Sequence, residues 1–194
     1  MNLPNKITVS RFFLSIIYFI LLHFSVHKSV INPKLLDVSI LIFMIAALTD
    51  ALDGYLARKY KMITNFGRIA DPFVDKILIC GSFIFFLDWD VLNSFLSAWM
   101  VVVIITREFL VHGIRGMAES KGIAFPSTVW GKQKTLIQCL TIISILLYTG
   151  YFLNNSLAGI ILRSLIWLTI ISTVISGFTY FLKVKQLIKK SDLE

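Results

Sequence analysis

The sequence predicts an all-α, polytopic membrane protein with six transmembrane helices, organised as one domain over residues 1–194. This prediction depends on the apolar composition, the recurrence of apolar stretches, and the uneven placement of lysine and arginine. Hydrophobic residues make up 57% of the 194 residues, and the mean hydropathy is +0.80. A soluble domain of this length needs much less apolar content, so soluble fold classes are disfavoured.

Apolar stretches separated by charged residues define six candidate helices, because one membrane span needs about 20 residues. The third stretch is the shortest, and its polar beginning must reach the membrane interface. The predicted spans are Ile7–Val26, Leu35–Arg58, Pro72–Leu87, Val91–Val111, Lys134–Leu153 and Leu157–Leu182. We expect residues 1–10 to form an interfacial segment retained with the first span, and residues 183–194 to form a basic tail.

The connections between the spans differ on the two sides of the membrane. Short turn signals occur on one side, at Asn32-Pro33, Asp88-Trp89-Asp90 and Asn154-Asn155. The connections on the other side are longer, and they are predicted at Tyr60–Asp71 and Glu119–Lys134.

Lysine and arginine are concentrated on the side of the longer connections. That side receives 16 of the 19 basic residues, and the turn side receives only Lys28, Lys34 and Arg163. Because basic residues accumulate in cytosolic loops, both termini are expected in the cytosol. The net charge of +8 is attributed to this orientation and to anionic lipid, and no nucleic-acid partner is predicted.

Four aspartates lie at the cytosolic ends of the second and third spans. Asp50 and Asp53 close one apolar run, and Asp71 and Asp75 open the next. A carboxylate at this depth is costly unless it is paired, hydrated or bound to metal. Residues three or four apart share one helix face, so two neighbouring helices can direct all four carboxylates to one point.

A divalent-metal site is the functional interpretation of these aspartates. Without cations, four close carboxylates would repel and some would protonate. Hard oxygen ligands without nearby His or Cys favour Mg²⁺ or Mn²⁺, and two such ions suit transfer at a phosphoryl group. The alternative is that the aspartates cap helix ends or form interfacial ion pairs, and Asp71 before Pro72 has the pattern of an N-cap.

Basic residues on the cytosolic side form a second candidate site. Arg107 and Arg115 are eight positions apart, about two helical turns, so they should share a face. Lys132 and Lys134 follow on the same side of the membrane. Such a set can bind a phosphate group, or it can consist of interfacial anchors. Between the arginines, His112 has no assigned role.

The aspartate segment resembles the signature of the CDP-alcohol phosphotransferase family. All eight signature positions are filled at the expected spacing, by Asp50, Asp53, Gly54, Ala57, Arg58, Gly67, Asp71 and Asp75. The resemblance implies a six-helix membrane fold, commonly homodimeric. It also implies two bound divalent metal ions, and transfer of a substituted phosphate from a CDP-linked donor to an alcohol with release of CMP.

The resemblance further implies roles for individual residues. Asp50, Asp53 and Asp71 are expected to be metal ligands, and Asp75 both a ligand and the general base for the acceptor hydroxyl. The CDP-donor side is expected to comprise Gly54, Ala57, Arg58 and Gly67, together with Asn5 and Thr8 near the N-terminus.

Three further segments resemble the branch of the family that uses glycerol-3-phosphate as acceptor. They are Asn5–Arg11, Thr106–Arg115 and Gly131–Thr135, and the similarity reaches to about residue 140. The implied reaction converts CDP-diacylglycerol and glycerol-3-phosphate to phosphatidylglycerophosphate and CMP at the cytosolic face of the inner membrane. The residues expected to bind the acceptor phosphate are Arg107, Arg115, Lys132 and Lys134.

Two other functions are compatible with parts of the sequence. The acceptor could instead be inositol phosphate, serine or a lipid. A divalent-cation transporter would also contain aspartates, but it needs polar groups that continue to the far side of the membrane. The outer halves of the predicted spans are nearly all apolar, which disfavours the transporter.

Overall fold

Among its described residues, the computed structural model contains six long helices. It describes residues 3–27, 30–59, 65–120 and 129–191, and within these ranges all side chains except those of 3–6, 27, 50–59, 65–72, 75, 117–120, 129–130, 132 and 183–191. The helices are α1 (Leu3–Ser25), α2 (Pro33–Lys59), α3 (Asn65–Phe86), α4 (Ala98–Ser120), α5 (Val129–Leu147) and α6 (Ser156–Ser191). A π-helical turn, Tyr148–Phe152, continues α5.

The connection between α1 and α2 is a short antiparallel ladder followed by a capped helix start. Strand β1 (Val26–His27) pairs with strand β2 (Val30–Ile31). The Asn32 side chain then accepts a hydrogen bond from the Leu35 backbone N–H at 3.4 Å, and Pro33 is the first residue of α2. An N-cap asparagine followed by proline is a favourable helix start, so this predicted turn also fixes where α2 begins.

The helices form one bundle around a shared apolar core. Helix α1 packs against α2 and α3, α6 packs against α4 and α5, and α5 also contacts α2 and α3. Tyr18, Phe43 and Phe83 are fully buried in this core. The approach of α1 to α3 depends on Gly81, because a Cβ atom there would overlap the Phe19 ring.

Among the described residues, three helical segments are long and apolar enough to cross a membrane: Ile7–Ser25, Gln133–Phe152 and Ser156–Leu182. The apolar part of α3 is shorter, Lys76–Phe86, and α4 carries the charged residues Arg107, Glu108 and Arg115. Large apolar side chains cover the outside of the bundle, and Phe24 and Leu157 are 64% and 69% exposed. A helical membrane protein therefore fits the structure.

One predicted helix boundary on the turn side is wrong. The fourth span was expected to begin at Val91, but α4 begins at Ala98. Residues Asp90–Leu92 form a 3₁₀ turn, and the Leu92 N–H donates to the Trp89 carbonyl at 2.8 Å. Trp89 is only 2% exposed, so this turn packs into the core instead of extending the next helix.

The long cytosolic connections are shorter than predicted. Helix α3 begins at Asn65, inside the predicted Tyr60–Asp71 connection, and Asp71 and Pro72 therefore lie within the helix. The alternative that Asp71 is an N-cap is wrong. Helix α4 continues to Ser120 and α5 begins at Val129, so the Glu119–Lys134 connection is also shortened.

Candidate active site

The backbones of the four signature aspartates lie on two helices. Asp50 and Asp53 occupy the last three turns of α2, and Asp71 and Asp75 occupy the first three turns of α3. Both pairs therefore have the three- and four-residue helical spacing on which the predicted site depends. Their side chains lie outside the described ones.

The structure also does not describe the side chains of most of the predicted donor-side residues. Gly54, Ala57 and Arg58 belong to α2, Gly67 to α3 and Asn5 to α1, and only their backbones are described. Thr8 is described, and it is 2% exposed in α1. A buried threonine near the start of α1 is placed inside the bundle, not on its lipid surface.

The chemistry of the four aspartates fits hard divalent cations. Carboxylate oxygens are the ligands that Mg²⁺ and Mn²⁺ prefer, and four carboxylates supply the charge that two such ions need. Among the described side chains there is no group of three His, Cys, Asp or Glu residues able to hold a metal. The metal site at the signature aspartates therefore stays a prediction.

A polar cavity of about 230 Å³ opens between helices α1 to α5. Among the described side chains that line it, three are cations and one is a carboxylate, a set that suits an anionic ligand. The lining residues are Arg11, Ala46, Ala47, Lys76, Leu78, Ile79, Glu108, Lys134, Thr135, Gln138 and Cys139.

The cavity lies along the helix faces that carry the aspartates. Ala46 precedes Asp50 by four residues on α2, and Ile79 follows Asp75 by four residues on α3. One helical turn advances about 5.4 Å along the axis, so these lining positions lie about one turn further into the bundle. The cavity therefore adjoins the predicted metal and base positions.

Lys134, a predicted phosphate ligand, lies in this cavity but already has a carboxylate partner. Its ammonium donates to Glu108 Oε1, and the two side chains are only 3% and 12% exposed. Arg107 Nη1 lies 3.6 Å from the same Glu108 oxygen. Glu108 thus contacts two predicted phosphate ligands, and its contact with Lys134 was not predicted from the sequence.

Arg107 and Arg115 share one face of α4, and α6 holds them there. Arg107 Nη2 donates to Ser176 Oγ, and Arg115 Nη2 donates to Tyr180 Oη at 2.8 Å. Both guanidinium groups lie over the Tyr180 ring, at 5.5 and 5.9 Å from its centroid. Gly177 leaves room for Arg107, because a Cβ atom there would be 3.2 Å from Arg107 Cγ.

Each of these arginines keeps one buried donor available. Among the described residues, the Nε atoms of Arg107 and Arg115 are buried and have no hydrogen-bond partner. A buried unpaired N–H costs about 1–3 kcal/mol, so each Nε atom would gain from a hydrogen-bond acceptor. Lys132, the fourth predicted phosphate ligand, has its side chain outside the described ones.

Comparison with known proteins identifies the family. A family model described as CDP-alcohol phosphatidyltransferase matches residues 1–175. The chain belongs to this family. As a CDP-alcohol phosphatidyltransferase it is a transferase, and enzymes of this family generally depend on a divalent metal ion.

Curated relatives match over nearly their whole length. A Bacillus subtilis protein is 36% identical over 197 residues, covering 98% of this chain and 99% of the relative. A Rickettsia bellii protein is 32% identical, with 95% and 96% covered, and a Haemophilus influenzae protein is 30% identical, with 92% and 91% covered. All three are named CDP-diacylglycerol–glycerol-3-phosphate 3-phosphatidyltransferase. The match extends well beyond residue 140, where the resemblance was expected to end.

Several residues of the site were missed by sequence reasoning in this CDP-alcohol phosphatidyltransferase. Arg11 ends the N-terminal segment Asn5–Arg11 but was assigned no role, and it is 1% exposed at the cavity. Gln138 interrupts an apolar run, and a polar residue inside a membrane helix is a signal that could have found it. Ser176 and Tyr180 were assigned no role, because their partners lie 69 and 65 residues away on another helix.

Proposed function

We propose that this protein transfers a phosphatidyl group from CDP-diacylglycerol to glycerol-3-phosphate, giving phosphatidylglycerophosphate and CMP. The observation that carries the proposal is the cationic cavity beside the signature aspartates. It offers an anion-binding space where a phosphorylated acceptor would meet the reacting phosphorus. The relatives named for this reaction match nearly the full chain, and they support the same acceptor.

The proposed reaction needs one bond made and one broken at the donor phosphorus. A primary hydroxyl oxygen of glycerol-3-phosphate bonds to the phosphorus that carries diacylglycerol, and the bond from that phosphorus to the oxygen of CMP breaks. The Asp75 carboxylate accepts the hydroxyl proton, since a carboxylate beside the acceptor is a suitable base. CMP leaves with the electron pair of the broken bond.

The acceptor phosphate is assigned to the cationic residues. Arg107 and Arg115 would receive it through guanidinium donors that α6 already orients, with Lys132 at the same end. Lys134 would contribute together with Glu108, which neutralises part of its charge and keeps the buried ammonium in place. This arrangement favours binding of a dianionic phosphate over a neutral alcohol.

The donor nucleotide is assigned to the signature residues between the aspartates. Gly54, Ala57 and Gly67 leave space beside the helix backbone for cytidine, and Arg58 would meet the pyrophosphate. Asn5 and Thr8 would complete this side from α1. When bound, two divalent cations, Mg²⁺ or Mn²⁺, held by Asp50, Asp53, Asp71 and Asp75 would neutralise the phosphates and the charge on the leaving oxygen.

The proposed membrane arrangement has six spans within a single domain. Both termini, the basic tail 183–194 and the active site face the cytosol of the inner membrane, as the distribution of 16 and three basic residues favours. The acyl chains of the donor would then remain in the bilayer during transfer. A homodimer is proposed from the family resemblance.

The test is an acceptor panel with the purified full chain. The protein is given CDP-diacylglycerol, Mg²⁺ and either glycerol-3-phosphate, inositol phosphate or serine, and both CMP and lipid product are measured. We expect CMP release with glycerol-3-phosphate and formation of a lipid phosphate. Release with another acceptor alone would refute the acceptor assignment, and cation flux into proteoliposomes without CMP release would favour a transporter.

A further inference from the structure

One buried side chain at the cavity is not used by the proposed mechanism. Gln138 is 0% exposed, and it lines the 230 Å³ cavity from α5. Among the described residues, both its Oε1 and its Nε2 atoms lack a hydrogen-bond partner. Leaving a buried amide unpaired on both atoms is costly, so this side chain is suited to a ligand.

The surroundings of Gln138 indicate the kind of ligand. Lys134 lies four residues earlier on the same helix face, and the cavity also receives Arg11 and Lys76. A ligand there would place an anionic group near the cations and a neutral polar group near the amide. One water needs only about 15 Å³ of such space, so a cavity of 230 Å³ has room for a small organic molecule.

The side-chain amide of Gln138 can form hydrogen bonds with a hydroxyl group of a ligand. A hydroxyl group both donates and accepts a hydrogen bond, and the glutamine side chain offers an acceptor oxygen and donor hydrogens. In glycerol-3-phosphate the phosphate is assigned to the cationic residues and the primary hydroxyl to Asp75. The secondary hydroxyl remains without a partner.

We propose that Gln138 is a specificity-determining residue that binds the secondary hydroxyl of the glycerol-3-phosphate acceptor. The inference rests on the proposed function and adds a residue to the acceptor site. It explains how a cationic cavity that would accept many phosphates distinguishes a polyol phosphate from a simpler alcohol phosphate. A site that hydrogen-bonds a hydroxyl rejects the analogue lacking it, because the buried amide is then left unpaired.

The test combines a changed residue with a changed acceptor. Gln138→Met is nearly isosteric and removes both polar atoms, and 3-hydroxypropyl phosphate keeps the primary hydroxyl and phosphate but lacks the secondary hydroxyl. We expect the wild-type chain to prefer glycerol-3-phosphate by roughly tenfold or more in kcat/KM, and Gln138→Met to prefer it by less than about threefold. The KM for CDP-diacylglycerol should not change.

A matched control is Thr149, which lies in the π-helical turn that continues α5. Thr149 is also 0% exposed, and its Oγ1 has no partner among the described residues, but it lies in the π-helical turn and not at the cavity. Thr149→Val should leave the acceptor preference as it is in the wild-type chain. The melting midpoint of Gln138→Met should be no lower than wild type, because an unpaired buried amide is removed.

The possible outcomes separate this inference from the proposed function. If the wild-type chain does not use glycerol-3-phosphate, both are overturned. If it does, but Gln138→Met and Gln138→Leu keep the full preference or lose activity equally with both acceptors, only the role of Gln138 is overturned. Failure of both variants to fold would show a structural amide and overturn it as well.

Discussion

The buried pair between Lys134 and Glu108 gives the sharpest test of the site geometry. The two side chains are 3% and 12% exposed, so the pair belongs to the buried class of ion pairs. Removing one partner of such a pair costs about 3–5 kcal/mol, because the other charge is left unpaired in a poorly solvated place. We therefore expect Glu108→Gln to be strongly destabilising, although it changes only one functional group.

The size of the effect can be followed by thermal unfolding in detergent. For a chain of this length each kcal/mol lowers the midpoint by about 2–4 °C, so Glu108→Gln should lower it by roughly 10 °C. The double variant Glu108→Leu with Lys134→Met should recover most of the loss, because apolar replacement of a whole buried pair is often neutral. CMP release should be lost in both variants.

An exposed pair in the same chain is the matched control. Tyr151 donates to Asp37 Oδ2 at 2.6 Å near the turn side, where both residues are exposed. Asp37→Asn should change the free energy of unfolding by less than about 1 kcal/mol, since exposed charged contacts contribute little. If Glu108→Gln melts like Asp37→Asn, or if the effects of Glu108→Leu and Lys134→Met simply add, the pair is not coupled and this reasoning fails.

Three further predictions concern the acceptor and metal sites. Tyr180→Phe keeps the ring but removes the oxygen that Arg115 Nη2 contacts at 2.8 Å. In steady-state assays the KM for glycerol-3-phosphate should rise several-fold, while the KM for CDP-diacylglycerol stays constant. Equal changes in both KM values would contradict an acceptor role. Gly177→Ala places a Cβ atom 3.2 Å from Arg107 Cγ, so it should lower kcat/KM for the acceptor. The loss of stability should be no more than about 1–3 kcal/mol, measured by thermal unfolding. Gly159→Ala is the control, because the nearest atom to its Cβ is at 3.6 Å. Chelation of divalent ions should abolish CMP release and added Mg²⁺ should restore it, whereas turnover that continues in chelator would remove the basis for the aspartate site.

The helices were largely predictable, and their ends were not. Apolar runs of span length place all six helices near their observed positions, because burial of an apolar face dominates helix placement. The start of α4 was predicted seven residues too early, since Val91 and Leu92 are apolar but belong to a turn. Hydropathy does not register backbone hydrogen bonds such as that from Leu92 N–H to the Trp89 carbonyl.

In the candidate site, too, the features that depend on local spacing could be predicted, and the contacts between distant residues could not. The aspartate signature is a spacing within 26 residues, so it could be read from the sequence alone. The partner of Lys134 is 26 residues away on α4, and the partner of Arg115 is 65 residues away on α6. These contacts depend on how α4, α5 and α6 pack, which no local spacing encodes.

Helix α6 explains how buried arginines are tolerated in an apolar bundle. Thr169, Thr173, Ser176 and Tyr180 recur at spacings of four, three and four residues, and all are buried on one stripe of the helix. The opposite side is apolar, with Phe178 63% exposed. Polar side chains between membrane helices can replace water as hydrogen-bond partners, so the stripe supplies the contacts that hold the α4 guanidinium groups. Helix α6, which lies outside the signature, therefore holds the two arginines that are predicted to bind the acceptor phosphate.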